Sequence, residues 1–416
     1  MRVLLERNDL DPNIPDALGQ TPLSRAAEGR HEGIVRALLE WNDVDPNRAD
    51  GDGKTPLSLA AEYGYEGVVR ILLERNDVDP DLANGYDQTP LSLAAENGHE
   101  GILRILLEQD DVNPNTLDQS RRTPLSWAVS GGGEGVVRML LERSDVDPNL
   151  ANQFGQTPLY FAVSSGHEGI VRMLLERNDL NPNTIDKYGR TPLFLAVEGE
   201  NEEVVRMLLE WNDVNPNTVG EDSRTPLSLA ASRGHERVVR MLLERNDTNP
   251  NAVDYDGLTP LCLAAMNGHE GVVGMLLGRS DADPNVVDSS DQTPLFLAAD
   301  FGREGVVRIL LGRNDVDPNA ADEYGQTPLS LAIERGNEEV VRMLLERNDV
   351  NLDIDDQDGQ TVASWAAQNG SDRIAKLLRD RADFTPGYAA SPQPTDSCPP
   401  KPSESSETPS KRIRRF

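Results

Sequence analysis

Cysteine is almost missing from this sequence: Cys262 and Cys398 are the only two in 416 residues. They offer neither a disulfide framework nor a zinc-ligand spacing, and a reducing compartment is the expectation. Aromatic residues reach 5% and hydrophobic residues 37%, lean for one large globular core and better matched to an elongated body. Positive charge is short too, since 40 Lys and Arg face 71 Asp and Glu for a net charge of -31. Such a body should repel nucleic acid and anionic membranes. No apolar run approaches the roughly 18 residues of a membrane span, and the opening residues hold no apolar signal core, so an intracellular, cytoplasmic location is expected. The sequence also lacks a GxxxxGK[ST] loop, a GxGxxG turn and a G-x-S-x-G elbow. No catalytic residue and no cofactor is therefore assigned, and the chain reads as a non-enzyme.

What the sequence has is a strict period. "TPL" begins at Thr21, Thr55, Thr89, Thr123, Thr157, Thr191, Thr225, Thr259, Thr293 and Thr327, and a degraded "TVA" begins at Thr361. These threonines define repeats 1 to 11, spaced 34 residues apart. In the copy from Leu82 to Asn115, Thr89 suits a helix N-cap and Pro90 the first helical position, where its missing N–H is harmless. Gly98 suits the stop, and "EGILRILLEQ" suits a second amphipathic helix with Glu100, Arg104 and Glu108 as an exposed charge ladder. The following "DDVNPNTLDQSRR" is turn-rich and must be a loop or hairpin. Helices of about 8 to 11 residues fall below the roughly 12 to 15 needed for independent stability, so the units must stack.

"TPLSLAA", the Gly-His link and the "VV..LL" run resemble the ankyrin repeat over residues 1 to 384. Two prolines per unit leave no room for the long helices of a tetratricopeptide repeat of the same period. Two departures stand out: Ser24, Ser58 and Ser92 occupy the usual histidine position, and "RNDVDPN" carries one extra residue, as in arrays of filamentous fungi. The resemblance implies an all-α solenoid of helix-turn-helix units with projecting β-hairpin loops and a concave binding face. Eleven units would extend on the order of 100 Å. The expected organisation is a partial repeat at 1–13, ten repeats over 14–353, a capping repeat at 354–384 and a disordered Pro/Ser-rich tail at 385–416.

Repeated "NDVDPN" matches the start of a calcium loop, but the glycine position holds Arg48, Leu82 and Thr116 in successive copies, which favours turn closure by Asp and Asn side chains. His31, His99, His167, His235 and His269 all precede Glu, yet the residue four further on is Val35, Leu103, Val171, Val239 or Val273. No zincin pair arises, and structural histidines are expected.

Function in a repeat array resides where the copies differ. In the ankyrin family those positions are the hairpin tips, the residue before TPL and the end of the first helix. Here they carry Tyr63, Tyr86, Phe154, Tyr188, Tyr255, Phe301 and Tyr324, rigid rings of the kind that anchor protein interfaces. Tyr160, Phe194 and Phe296 are read instead as packing. Basic residues gather centrally, at Arg122, Lys187, Arg190, Arg224 and Arg233, between acidic ends. The expectation is a positive, aromatic groove centre that binds a protein partner, carried by a monomeric scaffold. An alternative is the sensor array of a larger signalling NTPase, and a minor one is a calcium-binding repeat protein.

Lys411, Arg412, Arg414 and Arg415 form a candidate nuclear localisation signal, with a latch onto the acidic repeats as the competing reading. Val3, Leu4 and Leu5 align with Ile71, Leu72 and Leu73, so the chain opens inside a second helix. Either that module is frayed or Met1 is not the natural start.

Overall fold

The threonine of each TPL motif is where order begins. Thr89 is extended at φ -81° and ψ 163°, its hydroxyl accepts the Ser92 N–H at 3.3 Å, and Pro90 opens the helix Pro90–Glu96. Gly98, at φ 73°, turns the chain into a second helix, Glu100–Leu107. That helix ends two residues sooner than the sequence suggests, because Gln109 N–H donates to Leu106 O in a closing turn. The computed structural model describes residues 11–353, 357, 359–369 and 371–381. Among them are 22 α-helices in eleven pairs and no strand. The opening fragment, Cys398 and the basic tail lie outside the described residues.

Each pair buries the same set. In repeat 3 these are Leu91, Ala94 and Ala95 on the first helix and Ile102, Leu103, Ile105 and Leu106 on the second. Repetition joins them into one apolar cluster from Leu23 to Leu378, which no single unit could close alone. First helices, built around an Ala-Ala pair, stack more closely than second helices do. Closer stacking on one side bends the array toward it, which makes the first-helix face the inner one.

The loops differ from the implied β-hairpins. Asn84 N–H donates to Gln88 O at 2.9 Å and Gly85 N–H to Asp52 O of the preceding tip at 2.8 Å. Most loops thus make backbone bonds only within themselves and to the preceding tip, too briefly for a paired strand. Gly53 permits this approach: its φ is 77°, and a Cβ there would sit 2.4 Å from Gly85 N.

Three rows of side chains tie the units together. In the histidine row two members link the start of a second helix to the end of the preceding first helix: His99 Nε2 donates to Glu62 O at 3.0 Å and His269 Nε2 to Ser232 O at 3.1 Å, while His235 Nε2 meets Glu200 at 3.0 Å. Where histidine is replaced, Arg303 and Asn337 make the same link to Met266 O and Ala299 O. An asparagine row runs along "NDVDPN". Asn47 Nδ2 donates to Asp77 O at 2.7 Å while its Oδ1 accepts from Asp79 N at 2.8 Å, and Asn13, Asn115, Asn149, Asn183, Asn217, Asn251, Asn285 and Asn319 repeat the pattern. The intervening carboxylates close turns, as Asp45 does by accepting from Asn47 N at 3.0 Å. These side chains therefore already have partners in the loop that the calcium reading would require.

The third row is arginine. Arg75, Arg143, Arg177, Arg245, Arg279, Arg313, Arg347 and Arg381 each donate back to a carbonyl at the end of the preceding second helix. Seven of them also pair with the aspartate two residues on, as Arg177 does with Asp179 at 2.6 Å. The guanidinium satisfies helix-end carbonyls that would otherwise lack donors. "RNDVDPN" is therefore a joint.

Candidate functional site

The inner face is ruled by a recurring rung between the residue before TPL and the residue eight further on. Lys54 meets Glu62 at 2.6 Å, Gln88 donates to Glu96 at 3.1 Å, Arg122 donates to Ser130, and Arg190 meets Glu198 at 3.4 Å. These are the positions singled out as variable, now placed side by side along the groove.

Over repeats 4 to 6 the rungs carry an aromatic cluster. The Arg122 guanidinium lies 3.9 Å from the Trp127 ring centroid and 4.6 Å from that of Phe161, within range for cation–π attraction. Burial holds its pKa below the usual arginine value, with Asp118 and Glu96 opposing. Trp127 Nε1 donates to Asp118 Oδ2 at 3.0 Å, fixing the indole. Next along, Lys187 Nζ stands 4.6 Å from both the Phe154 and Tyr188 rings, and Lys187 N–H donates to Phe154 O at 2.8 Å. Arg190 lies 4.9 Å from the Tyr188 ring and donates to Tyr160 OH at 3.0 Å.

Asp186 organises this end. Its Oδ1 accepts the N–H groups of Tyr188 and Arg190 at 2.9 Å each, and its Oδ2 accepts Arg190 Nε and Nη2 at 3.0 and 2.9 Å. The carboxylate is buried, its side chain only 1% exposed. Asn84 and Asn152 close the equivalent tips with the same backbone bonds.

All seven aromatics named from the sequence are exposed, from Phe154 at 39% to Tyr255 at 84%. Phe154 and Tyr188 meet through Lys187; Tyr63, Tyr86, Tyr255, Phe301 and Tyr324 stand apart in their own repeats. Tyr160, Phe194 and Phe296 are buried, as packing residues should be. The charges differ from expectation. Arg190 is paired with Asp186 and Glu198, Arg224 with Asp254 at 3.3 Å, and Arg233 donates to Glu198 O at 2.7 Å. Among the described residues, unpaired positive charge at the centre rests on exposed Lys187 and Arg121, while Arg122 is stacked on Trp127 and Phe161. Sequence reading missed Trp127, Phe161, Asp118, Asp186 and Asp254. Trp127 and Phe161 had left a signal, each a large ring where "TPLSL" has its second leucine, and the three aspartates had left none.

Toward repeats 9 and 10 the tips are acidic. Burial pushes the carboxyls of Asp288 and Asp322 up, and neighbouring Asp291, Asp256 and Glu323 add to it. An acid raised in the folded state is protonated at no cost at low pH, and its cost appears as pH climbs through the raised value. Asp288→Asn, which can still accept from Ser290 N and Gln292 N as Asn84 does from its own tip, should therefore raise the melting temperature at pH 7. Melts repeated at pH 3 should show the gain gone; an equal gain at both values would refute an electrostatic origin.

Cys262 is buried, and burial pushes its thiol up to about 11, which makes it an inert packing group. No helix among the described residues is long and apolar enough to cross a membrane.

Models of a family described as ankyrin repeats (three copies) match residues 1–84, 76–152, 144–219, 211–288, 248–322, 280–353 and 295–387. Among solved structures, the chain is similar to the ankyrin repeat domain of Bcl-3, described as a unique member of the IkappaB protein family. The identity is 28%, over 55% of this chain and 100% of that one, with a TM-score of 0.50. No curated protein matches the chain significantly.

Proposed function

This chain belongs to the ankyrin-repeat family, whose fold generally serves protein interaction without catalysis, and from that premise we propose that it is a scaffold gripping one protein partner on the inner ledge of repeats 4 to 6. The observation that carries the reading is the run Arg122, Trp127, Phe161, Phe154, Lys187 and Tyr188, exposed or half-exposed rings interleaved with cations that form no ion pair among the described residues. Aromatic side chains and arginine supply large contact area at low entropic cost, and such clusters dominate binding energy. The paired Arg190 and Arg224 serve the ledge by holding its loops, while Lys187 and Tyr188 face the partner. The scaffold acts as a monomer inside the cell, where a reducing environment suits its buried free thiol.

Photocrosslinking tests this. A photoreactive phenylalanine at Tyr188 should crosslink a single protein species from the source cell, and the same group at exposed Arg138 on a second helix should not. Equal yields at both sites would overturn the assignment.

A further inference from the structure

The arginine and asparagine rows are both interrupted at one joint, between repeats 2 and 3. At the intact joint of repeats 4 and 5, Arg177 donates to Leu141 O at 2.9 Å and Arg143 O at 3.0 Å and pairs with Asp179. Repeat 3 has Gln109 at this position, and its amide turns onto Ile105 O of its own helix at 3.3 Å. The receiving groups are unchanged: Leu73 O, Arg75 O and the Asp111 carboxylate stand where Leu141 O, Arg143 O and Asp179 stand two repeats on. Among the described residues no side chain donates to any of the three. In the asparagine row the same joint carries Asp81, which accepts from Asn113 N at 3.3 Å and leaves its Oδ1 buried without a hydrogen-bond partner. The joint of repeats 5 and 6 also lacks the arginine, yet there Trp211 packs against the core and Asn183 keeps both of its bonds.

We propose that the joint of repeats 2 and 3 is a guanidinium-binding site, which takes an arginine side chain of a partner chain in the place that Arg177 takes in the intact joint. The Asp111 carboxylate and the carbonyl end of a helix favour a cation, and Asp81 adds negative charge to the same joint. A planar fork of five donors fits divergent acceptors of this kind, where the compact ammonium of lysine satisfies fewer. Eight repeats of the same chain hold a guanidinium in this way, so the ligand is identified by the molecule's own geometry. The site is separate from the ledge and does not depend on it.

The probe is N-acetyl-L-arginine amide, with the lysine analogue as control, added to the full chain during hydrogen exchange. At about twice the dissociation constant of the arginine probe, amides of residues 74–81 and 109–113 should exchange roughly threefold more slowly. Gln109→Arg should slow the same amides with no ligand and abolish the response. Gln109→Ala, which leaves the acceptors free, should keep it. The proposal fails if the lysine analogue protects equally, if protection spreads evenly over all joints, or if Gln109→Arg responds like the parent chain.

Discussion

Asp186→Ala is expected to destabilise the sixth repeat by about 3 kcal/mol, the usual cost of breaking a shielded charge pair together with its backbone bonds. Four hydrogen bonds end on that carboxylate, two of them closing the loop that presents Tyr188. Their loss leaves the Arg190 guanidinium, 20% exposed, with Glu198 and Tyr160 alone. Asp186→Asn should cost distinctly less, because an asparagine already closes the tips at Asn84 and Asn152 through the same two backbone bonds. Urea titrations followed by hydrogen exchange at residues 186–200 separate the two variants. A repeat array unfolds by neighbour-coupled units, so the local measurement is the decisive one. Equal loss in both variants would mean that the charge, and not the turn, holds the loop.

Lys187→Glu combined with Tyr188→Ala should weaken the photocrosslinked partner about 100-fold, equivalent to roughly 3 kcal/mol and typical of a central anchor pair. Both side chains are exposed and, among the described residues, bond to no other side chain except through ring contacts, so the fold should be undisturbed. Arg190→Ala should also weaken binding, but through loss of the loop that Asp186 and Arg190 share. Isothermal titration beside a thermal melt distinguishes these: the double variant changes affinity at constant melting temperature, and Arg190→Ala changes both. A partner that binds the double variant at parental affinity would remove the ledge from consideration.

Much of the site was legible residue by residue. The exposed aromatics stood out because the repeat supplies a background against which a ring at a tip is an exception, and Tyr86, Phe154 and Tyr188 needed no coordinates to be found. The electrostatics were not legible. Arg190 counts as a cation on paper, but its neutralising partner lies four residues away across a turn, and that of Arg224 lies thirty residues away in the next repeat. Summing charge over variable positions treats such residues as free.

The sequence by itself determined the period, the helix pair and the direction of each turn, because these rest on interactions within a few residues: a threonine hydroxyl on an N–H three positions on, a proline in the first turn, a glycine at positive φ. Even the obligatory stacking followed from helix length alone. Tertiary structure decided what the spacing could not carry: that "RNDVDPN" is a joint, that two of the central arginines are committed to carboxylates, and that Gln109 and Asp81, 28 residues apart, weaken one and the same interface. The Arg190 pairs depend on how one loop folds back on itself, and the other facts on contacts between repeats, which appear only once the units are laid against each other.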